Sequence, residues 1–244
     1  MKEIAVVVGV SASNGLGAAI ARRFAKGGSG GGPHVIVAGR TEHRLQAIVG
    51  EIQAAGGSAS PYVCDATVEA DVQSLFFHAS SEGTLKATIF NVGNNMPIPF
   101  EELDAATFED FWRVCVLAGF LTAKAALPQL EKNGGSLLFT GASASMRGRP
   151  NFAHFGSAKA ALRNMAQALA KDYGPKGVHV GHVVVDGAIN GERIRERFAS
   201  YLDHLGEDGS LDPDAISEVY WNMHVQPRSV WTFEVDVRPF KEKW

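Results

Sequence analysis

The sequence predicts a doubly wound α/β fold, one parallel sheet of about seven strands with helices on both faces. Three observations carry that expectation. Apolar, β-rich runs alternate with helical patterns along nearly the whole chain. Several of these runs are continuous rather than alternating, as strands covered on both faces must be. A glycine-rich turn follows directly on the first run and opens the first helix.

The strands are expected at residues 4–10, 34–38, 60–64, 87–91, 136–140, 178–185 and 231–237. Between the second and third, residues 42–55 read as a helix with Leu45, Ile48, Val49 and Ile52 on one apolar stripe. Thr67 and Thr107 stand where helix N-caps belong, and Asp110 follows Thr107 at capping-box spacing. Residues 27–32, Gly-Gly-Ser-Gly-Gly-Gly, join the first helix to the second strand and read as a mobile surface loop. No internal repeat interrupts this order, so residues 1–244 are expected to form a single domain, large enough to bury a core without disulfides or metals.

Composition narrows the function classes. Apolar residues at 45% and charged residues at 20% suit a soluble globular protein. A net charge of −3 supplies no basic excess to neutralise phosphates, so nucleic acid is not an expected partner. Arg193, Arg195 and Arg197 interleave with Glu192 and Glu196, the pattern of a solvated helix face. Two cysteines, Cys64 and Cys115, make no disulfide framework and fit a reducing, cytoplasmic setting. The run 4–10 flows straight into the glycine turn, which suits a buried strand better than a leader, and no run approaches the ~18 apolar residues of a membrane span. His179 and His182 lie three apart in a strand, hence on opposite faces, so no metal site is expected there.

The chemistry concentrates at strand ends. Gly9-Val10-Ser11-Ala12-Ser13-Asn14-Gly15-Leu16-Gly17 offers the small residues that let a backbone turn sharply and approach a diphosphate at a helix N-terminus. Ser11, Ser13, Asn14, Gly15 and Leu16 are the expected contacts. Arg40 follows the second strand, where an acidic residue would accept from a ribose 2′-hydroxyl; an arginine instead suits a 2′-phosphate, and points to NADP(H). Asp65 ends the third strand and has two readings, an acceptor for the adenine amino group or a helix-capping aspartate.

With further segments, these residues make the chain resemble the short-chain dehydrogenase/reductase family, a Rossmann-type fold. The resemblance runs from about residue 4 to the C-terminus. Asn91-Val92-Gly93 resembles the family's Asn-Ala-Gly, which implies support of the cofactor by Asn91 and Gly93. Phe155-Gly156-Ser157-Ala158-Lys159 matches the family's Tyr-x-x-x-Lys in all but its first residue, which implies that Lys159 holds the nicotinamide ribose. Asp186-Gly187 falls where the family has Pro-Gly beside the nicotinamide, with Ile189 just beyond.

The departures are as informative as the matches. The family's first turn glycine falls on Ser11, or else the turn carries an insertion after Gly9. Its helix asparagine falls on Cys115, its serine on Ala142 with Ser143 next door, and its tyrosine on Phe155. The other tyrosines, Tyr62, Tyr173, Tyr201 and Tyr220, lie too far along the chain to be misaligned into that place. The expected catalytic set is then Lys159, Ser143 and Asp186. His154 is expected to be a surface or packing residue rather than to react, and Asn94 and Asn95 are further candidates for amide donors near the nicotinamide. The resemblance implies an NADP(H)-dependent oxidoreductase with a non-standard proton donor, acting on a small molecule such as an iminium or activated carbonyl. The competing reading is a non-redox isomerase, lyase or cofactor-binding regulatory protein on the same scaffold. Residues 108–130 and the helix continuing from Lys159 resemble the family's subunit interface, which implies a homodimer or homotetramer. Residues 190–217, which would cover the site, carry no diagnostic motif.

Overall fold

The structure, a computed structural model, describes residues 2–242, the side chain of Arg193 excepted. Seven strands form one sheet: β1 Glu3–Val8, β2 His34–Gly39, β3 Ala59–Val63, β4 Thr84–Phe90, β5 Gly135–Thr140, β6 Val178–Val185 and β7 Glu234–Val237. Their order is β3-β2-β1-β4-β5-β6-β7 and every pairing is parallel. The order reverses between β1 and β4, so the crevice for a ligand opens at the carboxyl ends of those strands.

The continuous apolar runs exist because the sheet is covered twice. Along β1, Ile4, Val6 and Val8 enter one core, while Ala5 and Val7 enter the other. The first core is completed by α3 (Glu69–Glu82), α5 (Ala118–Asn133) and α6 (Ala153–Tyr173), through residues such as Phe76, Leu127 and Leu162. The second is completed by α1 (Leu16–Lys26), α2 (Glu42–Ala54) and α8 (Pro213–His224), through Phe24, Ile48 and Tyr220. The stripe Leu45, Ile48, Val49 and Ile52 is the buried face of α2.

Several local expectations are corrected. Thr67 does not cap α3; the N-cap is Val68, and Thr67 instead gives its N–H and hydroxyl to Asp65 Oδ1, at 2.9 and 2.7 Å. Thr107 does not cap α4 (Ala105–Trp112) either. Asp104 caps it by accepting from Thr107 N at 2.7 Å, a charge that also favours the positive helix end. The helix expected at 108–130 therefore starts earlier, and one π turn, Arg113–Leu117, joins α4 to α5. This stretch, Ala105–Asn133, is long and apolar enough to cross a membrane, but 56% of its most apolar window is buried within the fold, as in a core helix. β7 begins only at Glu234, because Thr232 and Trp231 are held by Gln226, whose side chain accepts from Thr232 N at 2.7 Å and whose carbonyl accepts from the Trp231 indole at 3.3 Å. On α7 (Glu192–Leu205), Arg195, Glu196 and Arg197 are exposed, as a solvated face requires.

The glycine tract is a closed reverse turn, with Gly31 N bonded to Gly28 O at 3.1 Å. Its glycines are not equivalent. A Cβ on Gly32 would lie 2.1 Å from Phe24 O, whereas one on Gly30 would meet nothing within 4 Å. Gly32→Ala is therefore expected to cost about 1–3 kcal/mol by forcing the end of α1 to move. Gly30→Ala should be neutral or stabilising by ~0.4–1 kcal/mol, because it restricts the unfolded chain. Urea denaturation midpoints check both; equal midpoints for the two variants would show that the turn relaxes freely.

Candidate active site

The site is built from the carboxyl ends of β1, β4, β5 and β6. After β1 the chain turns at Gly9, whose φ is +98°, and a Cβ there would lie 2.7 Å from the backbone of Asn91 and Val92. A Cβ on Gly17 would in turn lie 2.7 Å from Gly9 O. The turn, the first turn of α1 and the end of β4 are thus pressed together too closely for side chains. The start of α1 has no side-chain cap and no acidic residue in its first turn, which leaves its positive end for an anion.

The turn residues take different roles. Ser11 is exposed at the lip. The Ser13 hydroxyl is bound by Glu51, and its carbonyl accepts from Arg22 at 2.7 Å, so its polar groups face α2. Asn14 Oδ1 accepts from Glu192 N at 2.8 Å and so caps α7. Gly15 is the N-cap of α1, and the Leu16 side chain is buried in the core. Arg40 is exposed at the end of β2. Burial acts to raise the Asp65 carboxyl, but hydrogen bonds from the Thr67 N–H and hydroxyl, with Arg40 and Arg113 nearby, outweigh it and the net shift is downward. Of the two readings of Asp65, its observed bonds are those of a local turn at the start of α3.

Lys159 lies at the centre. It is 4% exposed, its Nζ donates to Thr140 O at 2.9 Å, and burial pushes its pKa down, with Cys115 acting weakly the other way. A Cβ on Gly93 would sit 3.4 Å from that Nζ, so the segment after β4 runs close beside the ammonium. One helical turn before Lys159 is Phe155, with its ring centroid 5.8 Å from Nζ. Phe155 packs in a small apolar cluster with Phe111, Cys115, Val116 and Ala158, against which Ala142 also rests. Cys115 reaches it from the π turn, a helix irregularity often found at functional sites. The three residues that depart from the expected polar pattern, Cys115, Ala142 and Phe155, therefore meet in one place.

The remaining candidates are less central. Ser143 opens a short 3₁₀ turn, Ser143–Ser145, and its carbonyl accepts from Met146 N and Arg147 N at 2.9 and 3.1 Å. Asp186 is 2% exposed, and both its oxygens accept from Arg147 Nη2, at 3.0 and 2.9 Å, with Arg238 at 3.8 Å. Both of its oxygens are thus engaged by Arg147. Gly187 packs against Pro239 from the chain's C-terminal segment, and Ile189 pairs with Leu211. His154 is buried, with its Nε2 donating to Met96 O at 3.0 Å and its ring edge-on to Phe111; it is a packing residue, as expected. Asn94 and Asn95 follow β4 in an irregular segment. His179 stacks on Trp231, while His182 donates from Nδ1 to Glu234 at 3.0 Å. Burial pushes the His182 pKa down to about 4.

Sequence reasoning missed Arg147, Thr140 and Tyr220. Arg147 belongs to no motif, Thr140 was legible only as the end of a strand, and Tyr220 only as a tyrosine too distant to stand in for Phe155.

Comparison with known proteins agrees with this geometry. Residues 3–199 match the family model of the short chain dehydrogenases. The chain is 31% identical over 230 residues to Uncharacterized oxidoreductase YuxG of Bacillus subtilis (strain 168), a match covering 90% of this chain and 31% of that protein. It thus spans about a third of that relative's length. A short-chain dehydrogenase from Rhodopseudomonas palustris superposes with a TM-score of 0.82 at 33% identity, covering 98% of this chain and 99% of that one. A 7α-hydroxysteroid dehydrogenase complexed with NADH and 7-oxo glycochenodeoxycholic acid superposes with a TM-score of 0.86 at 26% identity, covering 98% and 93%. The family match takes in β1 to β6 and every element that builds the site up to α7; the chain belongs to the short-chain dehydrogenase family.

Proposed function

We propose that the protein is an NADP(H)-dependent oxidoreductase that delivers hydride to an already electrophilic carbon of a small molecule, such as an iminium or an activated carbonyl. The observation that carries this reading is the apolar cluster of Cys115, Ala142 and Phe155 beside Lys159, next to a glycine turn that still fits a dinucleotide. The fit rests on the uncapped start of α1, on the glycine contacts that bring Gly9, Gly17 and Asn91 together, and on the position of Lys159 beside Gly93.

The nicotinamide cofactor supplies the hydride. The residues of the chain do the rest. The N–H groups at the start of α1 would take the diphosphate, Arg40 would take the 2′-phosphate, and Lys159 Nζ would take the nicotinamide ribose hydroxyls. Phe155 and its neighbours form a dry wall that excludes water from the reacting carbon. Losing a general acid costs ~10²–10⁴ in rate, and losing an oxyanion donor ~10²–10³. An iminium carbon needs neither group, since hydride arrival neutralises it without a new proton on oxygen. The same cluster supports a second reading, a non-redox enzyme or cofactor-binding regulator. NADPH oxidation over a panel of cyclic imines and ketones separates the two, because the regulator turns over none of them.

Calorimetric titration tests the cofactor assignment. Wild type is expected to bind NADPH at least tenfold more tightly than NADH. Arg40→Ala should lose roughly that factor for NADPH alone, the scale of a charged hydrogen bond. Equal affinities in wild type, or a mutant that loses both cofactors alike, overturn the assignment. We further propose a homodimer or homotetramer built on α4, α5 and α6, where Phe108, Trp112 and Phe120 are exposed, in a cytoplasmic setting that suits two buried free cysteines.

A further inference from the structure

Thr140, the last residue of β5, makes contacts in three directions. Its carbonyl accepts from Lys159 at 2.9 Å. Its hydroxyl donates to Asn91 Oδ1 at 3.0 Å and lies 2.7 Å from the hydroxyl of Tyr220. Asn91 in turn donates from Nδ2 to Gly9 O at 3.1 Å. The chain of bonds therefore starts on α8, on the face of the sheet opposite α6, and ends at the glycine turn.

Its polarity is fixed by proton counting. A threonine hydroxyl carries one proton, and the Asn91 carbonyl oxygen can only accept, so the Thr140 proton is committed to Asn91. Tyr220 must then be the donor to Thr140. The phenol is 0% exposed, and burial raises its pKa above the ordinary 10, so it keeps its proton over the working range. With Tyr220 donating to Thr140 from behind, the Thr140 proton is directed at Asn91 Oδ1, which favours one orientation of the amide. Turned over, the amide oxygen would face Gly9 O and would no longer accept from Thr140. Asn91 Nδ2 also lies 3.0 Å from where a Cβ on Gly17 would stand, so its orientation is felt at the first turn of α1.

We infer that Tyr220 is a positioning residue for the cofactor site, acting through Thr140 and Asn91 to hold the glycine turn and, through the Thr140 backbone, the seat of Lys159. The inference rests on the proposed binding of a dinucleotide at that turn. It gives a role to a fully buried tyrosine, and it ties α8, which packs against α1, to the chemistry at the sheet's end.

The experiment compares wild type, Tyr220→Phe, Thr140→Val, the double variant and Thr140→Ser. Three measurements are made on each: NADPH affinity by calorimetry, amide hydrogen exchange of residues 9–17 by mass spectrometry, and the thermal midpoint. Tyr220→Phe keeps the ring in its core and removes one oxygen. It should weaken NADPH roughly three- to tenfold, the scale of a single hydrogen bond, and speed exchange in residues 9–17. Thr140→Val should do at least as much, and the double variant no more than Thr140→Val alone, since both residues act in one chain. Thr140→Ser, which keeps the hydroxyl, should stay near wild type. A Tyr220→Phe protein with a lowered midpoint but unchanged affinity and unchanged exchange at 9–17 would show a merely structural hydroxyl, as would strictly additive effects. Should Tyr220→Phe fail to fold, the contrast between Thr140→Val and Thr140→Ser decides the matter. A wild type that binds no dinucleotide sinks the proposed function, while the exchange data still decide whether Tyr220 holds the turn.

Discussion

Phe155→Tyr combined with Ala142→Ser is expected to raise NADPH-dependent reduction of activated ketones and diketones by ~10² or more, because it supplies a proton donor and an oxygen-binding hydroxyl together. The backbone is already suitable. Phe155 sits on α6 one turn before Lys159, with its ring 5.8 Å from Nζ, and the new phenol adds a single oxygen. A hydroxyl entering the cluster of Phe111, Cys115 and Val116 needs a partner, or it destabilises the fold. The serine at 142 can supply one. The buried ammonium of Lys159 can also lower the phenol's pKa, which makes it a better acid. Steady-state NADPH oxidation over a small carbonyl panel, with folding checked by circular dichroism, measures the gain. A folded double variant that binds NADPH yet gains nothing would mean that these two hydroxyls are not enough to make the site a carbonyl reductase. A wild type that already reduces simple ketones briskly would show that another group donates the proton.

Lys159→Met should move stability and binding in opposite directions. Methionine matches the shape of the stem but carries no charge, so the variant should bind NADPH at least tenfold more weakly. Its stability follows from the direction of the lysine's shift. Burial depresses the folded-state pKa below the unfolded value of 10.5. Below the folded pKa both states are protonated and the full penalty of the buried charge is present. Between the two values the unfolded chain binds the extra proton, so wild-type stability rises with pH, at most ~1.4 kcal/mol per unit. Above 10.5 nothing further is gained. The variant lacks this dependence, and its advantage over wild type is therefore largest near neutrality and shrinks as pH climbs towards 10.5. Urea denaturation of both proteins between pH 7 and 10 reads the difference, and titrations common to both cancel. Parallel stability curves would mean that the charge carries no burial penalty, and unchanged NADPH affinity would remove Lys159 from the ribose.

The legibility of this chain varied with the distance over which its residues act. β1, β4 and β6 could be read because both faces are largely buried, so most positions are apolar, with Thr88, His179 and His182 as buried polar exceptions. The glycine turn and Lys159 could be read because each belongs to a short local pattern. The ends of elements were harder. Asp104 and Thr107 are both good caps, and only the observed bond from Thr107 N to the carboxylate decides between them. Asn14 was legible as a turn residue but not as the cap of α7, because its partner lies on another segment far along the chain. Arg147 and Tyr220 were illegible for the same reason. Their partners, Asp186 and Thr140, are brought to them only by the completed sheet.

The all-parallel strand order also has a consequence in time. No pair in the sheet can form as a hairpin; each waits for a full crossover to be made. β1 is flanked by β2 and β4, and β4 starts only at Thr84. At a synthesis rate of ~5–20 residues per second, the strand that carries the glycine turn spends roughly 4–15 s on the ribosome with at least one edge open. Val6, Val7 and Val8 stand on that edge, and they are the residues a chaperone would have to shield first.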